Sequence, residues 1–137
     1  PGRCEMTAKL RHIAITVNDL KKEAAFYESV FGFTKHNEND VAVSLSDGVV
    51  NVTLLKFKTD ADAGDERGKD FVGIHHIGFV VDDPKEWAGM DQKIKDNGGQ
   101  FHFEGRAGMA VEVKYRDPHG IVFDISEPDH AWKGISY

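Results

Sequence analysis

The sequence has a single cysteine, Cys4, in 137 residues. One cysteine excludes an internal disulfide and any cluster of thiolate metal ligands. It suits a reducing compartment, so a cytoplasmic location is expected. Prolines number four, which leaves no proline-rich recognition segment. No stretch approaches the roughly 20 apolar residues of a membrane-spanning helix, and the first residues, Pro1-Gly2-Arg3-Cys4-Glu5, contain no apolar signal core. Positive charge is in deficit, with 17 Lys and Arg against 23 Asp and Glu and a net charge of −6. That balance argues against nucleic acid or an anionic membrane as partner and favours a small molecule. Neither a basic patch nor coiled-coil heptads point to a macromolecular partner. At 40% hydrophobic and 29% charged, the chain has the make-up of an ordinary globular domain, long enough to bury a core without staples.

What is present is a duplication. Leu10-Arg11-His12-Ile13-Ala14-Ile15-Thr16-Val17-Asn18-Asp19 and Ile74-His75-His76-Ile77-Gly78-Phe79-Val80-Val81-Asp82-Asp83 read alike, each with a histidine at the same place. Both segments alternate with the period of a strand: Ile13, Ile15 and Val17 against His12, Ala14 and Thr16, then Ile77, Phe79 and Val81 against His76, Gly78 and Val80. Each leads into a helix. Asn18-Asp19 supplies a cap before Leu20, Ala24, Tyr27 and Val30/Phe31 at helical spacing, and Gly32 is the stop. Asp83, Pro84 and Glu86 form the second start, Trp87, Met90 and Ile94 its apolar stripe, and Asn97-Gly98-Gly99 its end. Strands are predicted at 33–36, 41–46 and 49–57, with a turn at Asp47-Gly48, and again at 101–104, 109–116 and 121–126.

The expected fold is therefore α+β: two tandem βαβββ modules whose mixed sheets form an open cup around a shared site. Residues 1–8 read as a tail with Met6 as the natural start, 9–57 as the first module, 58–73 as a linker loop, 74–127 as the second module, and 128–137 as a C-terminal tail, in one domain overall. Asp60, Asp62 and Asp65 in the linker do not have the spacing of an EF-hand and are assigned to solvated loop.

The apolar face of each first strand is the side a helix would cover. His12 and His76 then point away from the helices, among small neighbours that leave room above the sheet. Asp124 alternates with Val122 and Ser126, opposite Phe123 and Ile125, and a carboxylate within such an apolar strand is costly to bury unpaired. Two imidazoles and a carboxylate suit one divalent ion, Fe, Ni, Co, Mn or Zn, so His12, His76 and Asp124 are the expected metal ligands. Asp124, Glu112 and Tyr115 are the candidates for catalysis, with Glu112 and Tyr115 on opposite faces of one strand, so that only one can point into a cup. His75 faces away from His76 and is given a supporting role. His36, His102, His119 and His130 have no matched partner and carry no assignment.

At these residues the chain resembles the vicinal oxygen chelate superfamily, which includes glyoxalase I, methylmalonyl-CoA epimerase, extradiol dioxygenases and the fosfomycin and bleomycin resistance proteins. The resemblance runs through His12-Ile13-Ala14-Ile15 with Asp19, Ala25-Phe26-Tyr27, Phe31-Gly32-Phe33, His76-Ile77-Gly78-Phe79-Val80-Val81, Tyr115-Arg116-Asp117-Pro118-His119-Gly120 and the strand of Asp124. It implies paired βαβββ modules around a divalent metal, and a homodimer. The family's first-strand histidines fall on His12 and His76. Its final glutamate falls on Asp124, shorter by one methylene, and its remaining ligand position falls near Asn51, Val52 or Thr53, none of them a carboxylate.

Three functions follow as expectations. The first is a glyoxalase-like lyase, isomerase or epimerase acting on a small substrate with adjacent oxygens. The second is an Fe(II) extradiol-type dioxygenase. The third is a non-catalytic drug-binding protein of the resistance type, in which Trp132 would contact a cationic aromatic ligand.

Overall fold

The computed structural model describes residues 8–64, 68–107, 110–128 and 132–135, with side chains except at 105–112. The elements run β1 (Lys9–Thr16), α1 (Leu20–Phe31), β2 (Thr34–Glu38), β3 (Ala42–Ser46), β4 (Asn51–Leu55), α2 (Asp60–Ala63), β5 (Gly73–Val80), α3 (Pro84–Asp96), β6 (Gln100–Ala107), β7 (Ala110–Arg116) and β8 (Val122–Ser126). This is the twice-repeated βαβββ order of an α+β protein. The stretch 58–73, expected to be loop throughout, contains α2. Among the described residues, no helix is long and apolar enough to cross a membrane.

The compact units do not follow the repeats. One consists of Arg11–Ile77 with the segment that starts at Trp132, the other of the chain up to Leu10 with the segment from Gly78 onward.

In the first unit the strand order is β2-β3-β4-β1-β5. β1 runs parallel to β4 with His12 opposite Asn51 and Thr16 opposite Leu55. β2 and β3, and β3 and β4, are antiparallel. The core is Val17, Leu20, Ala24, Val43, Leu45, Val52 and Leu54, with Ile15, Tyr27 and Phe33 against it. Alternation thus places Ile15 and Val17 under α1, leaving His12, Ala14 and Thr16 buried on the other face.

α1 begins where Asp19 accepts a hydrogen bond from Lys22 N at 3.0 Å. It ends at Gly32, whose φ of 71° is left-handed and strained for any residue with a β-carbon. The predicted apolar stripe holds only for its first half. Leu20 and Ala24 are buried, but Val30 and Phe31 are 56% and 61% exposed, since the last turn reaches past the core. Phe31 packs instead on Phe26 and Phe33. β4 also starts later than its apolar run. Asp47 accepts from Val49 N and Val50 N at 2.8 and 2.7 Å, which commits both residues to the turn.

In the second unit the order is β5-β8-β7-β6. β7 is antiparallel to both neighbours, with Lys114 opposite Asp124 and Tyr115 opposite Phe123. Asp83 caps α3 through Lys85 N at 2.9 Å, and Pro84 occupies the first turn. Trp87, Met90 and Ile94 pack with Val113 and Phe123 on Val81, Tyr115 and Ile125. After α3 the chain passes so close to β7 that a β-carbon at Gly99 would strike Ile94 and the carbonyl of Arg116.

Leu45 is fully buried. Leu45→Ala is expected to lower unfolding free energy by about 2–5 kcal/mol. Val30→Ala, on the exposed end of α1, should change it by less than about 0.5 kcal/mol. Denaturant unfolding of both variants checks the assignment, and a large loss at Val30 would contradict it.

Candidate metal centre

His12 lies on β1, is 3% exposed, and has Asn51 of β4 directly opposite. Its Nδ1 is 2.8 Å from Asn51 Oδ1. The amide is oriented by its other end, where Nδ2 donates to Ser44 Oγ at 2.8 Å and to the Lys133 carbonyl at 3.0 Å. Thr53 Oγ1 donates to the same Oδ1 at 2.7 Å. Oδ1 only accepts, so the hydrogen is on His12 Nδ1, and the neutral ring holds its lone pair at Nε2.

The same reasoning applies from the other side. His75 Nε2 lies 3.0 Å from the carbonyl of Ala63 and must donate to it. The neutral His75 ring then accepts at Nδ1, which is 2.9 Å from His76 Nδ1. His76 therefore carries its hydrogen on Nδ1 and its lone pair on Nε2.

The two Nε2 atoms are 3.2 Å apart. Two lone pairs at that separation repel unless a cation lies between them. Two imidazole nitrogens, each about 2.0–2.1 Å from a zinc-sized ion at a near-tetrahedral angle, would be about 3.2–3.4 Å apart. The spacing and the tautomers both fit a metal. Trp132 stacks on His12, ring centroids 4.2 Å apart and planes 4° from parallel, and so covers one face of the ring.

The structure thus brings His12 and His76 together within one unit. Asp124 lies on β8 in the other unit and is 2% exposed. Lys114 Nζ contacts its Oδ1 at 2.6 Å, with the lysine side chain 14% exposed. Sequence reading missed Lys114 because nothing in its local pattern announces the β7–β8 register.

Of the residues near the remaining family position, Val52 belongs to the α1 core. The side-chain oxygens of Asn51 and Thr53 are bonded to the His12 Nδ1 side and to each other. They orient the ring from the side opposite its lone pair.

Tyr115, a candidate for catalysis, lies in the packed interior of its unit. It stacks on Phe123 in the α3 core, and its hydroxyl donates to Asp91 of α3 at 2.9 Å. Since Asp124 alternates with Phe123 along β8, Tyr115 lies on the packed face, opposite to the face of Asp124. Glu112 is on β7, but its side chain lies outside the described residues. His36 bonds Ser46 Oγ at 2.7 Å. Asp60 and Asp62, assigned to loop, lie in α2, and Asp60 accepts from Lys69 N at 2.8 Å. His130 and Asp65 lie outside the described residues.

Residues 9–125 match the model of the Glyoxalase/Bleomycin resistance protein/Dioxygenase superfamily, and the chain belongs to that family. No curated protein matches it. Among solved structures it is similar to a hypothetical protein from Bacillus halodurans C-125, with 23% identity and TM-score 0.67 over 88% of this chain and 94% of that one. It is similar also to the Mn(II)-bound glyoxalase of Novosphingobium aromaticivorans, with 19% identity and TM-score 0.67 over 94% of this chain and 41% of that one. A third is a single-residue variant of the methylmalonyl-CoA epimerase of Streptomyces coelicolor in complex with 2-nitronate-propionyl-CoA, with 23% identity and TM-score 0.61 over 90% and 95%. At these identities the likeness establishes the fold. The chain spans well under half the length of the glyoxalase.

Burial and the bond to Asp91 push the Tyr115 hydroxyl up to about 12, from an ordinary value of about 10. The folded chain therefore keeps this proton to higher pH than the unfolded chain. The stability it contributes is complete below about pH 10 and is lost as pH rises towards about 12. The stability gap between the wild type and Tyr115→Phe should be constant up to about pH 10 and close above it. A gap unchanged at pH 12 would refute the assignment.

Proposed function

We propose that the protein is a divalent-metal-dependent enzyme of glyoxalase type. Its ligands are His12, His76 and Asp124, three buried side chains with metal-binding atoms. Its substrate is a small molecule with adjacent oxygens, and the reaction is a lyase, isomerase or epimerase step. The observation that carries this reading is the pair of Nε2 lone pairs facing each other at 3.2 Å.

An ion held by these residues would supply Lewis-acid chemistry to the substrate oxygens. The chain does the rest. Asn51 and His75 hold the two ligand rings in the tautomer that offers Nε2. Trp132 excludes water from one face of His12. Lys114 pairs with the Asp124 carboxylate at 2.6 Å within its own unit and so offsets the cost of burying it. Glu112 of β7 is the proposed base for the substrate proton. The manganese of the similar glyoxalase and the acyl-CoA analogue bound by the similar epimerase support a metal and a small substrate here.

A second reading rests on the engagement of Asn51 and Thr53 with each other and with His12. Without a fourth protein ligand, two histidines and one carboxylate form the donor set of Fe(II) oxygenases, so an extradiol-type dioxygenase is the alternative.

Elemental analysis of the untagged protein should find about one divalent ion per chain. His12→Ala and His76→Ala should lose it, and Asp124→Asn should bind it more weakly. Mn, Co, Ni or Zn with proton-transfer activity supports the first reading, and Fe with ring cleavage the second. No ion retained after soaking with each of the five metals overturns both and leaves a metal-free binding protein.

A further inference from the structure

Building on the metal reading above, we propose that His75 is a positioning residue that couples α2 to the metal site by fixing the tautomer of His76. Neighbouring residues on a strand project to opposite faces. Yet the Nδ1 atoms of His75 and His76 are within hydrogen-bond distance, at 2.9 Å. Their rings meet nearly edge to face, at 74° with centroids 5.1 Å apart. The His75 ring is held in this turned-back position by two contacts, the Ala63 carbonyl at 3.0 Å and the ring of Phe57 at 5.3 Å.

The direction of the chain of bonds is fixed at its far end. The Ala63 carbonyl accepts, so His75 donates to it from Nε2, and His75 Nδ1 in turn accepts from His76. An imidazole without this partner interconverts between its two neutral tautomers, and the one with hydrogen on Nε2 cannot ligate through that atom. The Ala63 carbonyl is therefore what directs the lone pair of a neutral His76 to Nε2, although it belongs to a different element.

Ala63 is itself held in place. It is 2% exposed, and its N–H donates to the Thr59 carbonyl at 3.2 Å. Thr59 Oγ1 caps the turn by accepting from Asp62 N at 3.0 Å. α2 is a four-residue helix in the stretch between the modules, short enough that its cap matters. An ion on Nε2 draws electron density from the ring and makes Nδ1–H a stronger donor. Occupancy then tightens the line through His75 to Ala63 and stabilises α2. By linkage, α2 raises metal affinity by the same factor.

The test uses the full chain as wild type, His75→Phe, Thr59→Ala and the double variant. His75→Phe keeps a ring beside Phe57 but can neither donate nor accept. Long-range 1H–15N spectra of the metal-free protein, at a pH where imidazoles are neutral, should show hydrogen on Nδ1 of His76 and on Nε2 of His75. In His75→Phe, His76 should become a mixture of tautomers, and zinc affinity should fall about 10–100-fold. Thr59→Ala should weaken zinc binding in the wild-type background and not in His75→Phe, because the two lie on one line of coupling. Zinc should slow hydrogen exchange at the Ala63 amide in the wild type only.

Hydrogen retained on Nδ1 of His76 in His75→Phe, or additive effects of the two substitutions, overturns the proposal. If His75→Phe does not fold, unchanged zinc affinity and Ala63 exchange in Thr59→Ala overturn it alone. If the wild type binds no zinc, the metal reading fails separately, and the metal-free spectrum still decides: hydrogen on Nε2 of His76 refutes the positioning role.

Discussion

The facing lone pairs of His12 and His76 are the constraint around which the polar interior of the Arg11–Ile77 unit is arranged. At 3.2 Å the contact is repulsive in the absence of a cation. The chain nevertheless spends Asn51, Ser44, Thr53 and the Lys133 carbonyl on one ring, and His75 with the Ala63 carbonyl on the other. Replaced together by apolar residues of similar size, these side chains would cost little stability, since a buried hydrogen bond contributes only about 0.5–1.5 kcal/mol net. An arrangement that stabilises so little while forcing two acceptors together is better accounted for by ligation than by packing.

The parallel pairing of β1 with β4 is what makes this possible. Parallel strands place His12 and Asn51 opposite one another without a turn between them. The α1 core then fixes both strands from the other side through Ile15, Val17, Val52 and Leu54. A one-residue slip would turn His12 towards α1 and bury an imidazole among aliphatic side chains. The apolar face thus sets the register, and the register sets the ligand geometry.

Much of this was legible in the sequence because it rests on period and repetition. Alternation identified the faces of β1, β5 and β8 on which His12, His76 and Asp124 are buried. Cap residues Asp19 and Asp83 and the stop at Gly32 located both long helices. What was not legible depends on pairing across distance. Lys114 appears beside Asp124 only once β7 is set against β8. Asn51 appears as a support for His12 only once β4 lies along β1. The hydroxyl partner of Tyr115 was equally out of view, because Asp91 comes from a helix 24 residues earlier. Val30 and Phe31 kept helical spacing where the core no longer reached.

A shared proton is the rival to a metal between the two Nε2 atoms, and the two differ in what they can bind. A proton would be shared between the two nitrogens as one buried positive charge and would bind nothing further, since it accepts only the two lone pairs. A divalent ion carries more charge but can also take a carboxylate and water as ligands, which return much of its hydration. Two neutral histidines and Asp124 would reduce its charge to about +1, enough to polarise substrate oxygens and low enough to remain buried. Orientation of the rings from their Nδ1 sides serves either cation equally. The difference lies in what each leaves available: a shared proton is saturated by the two rings, whereas a divalent ion held by them would keep positions for a carboxylate, water or substrate oxygens.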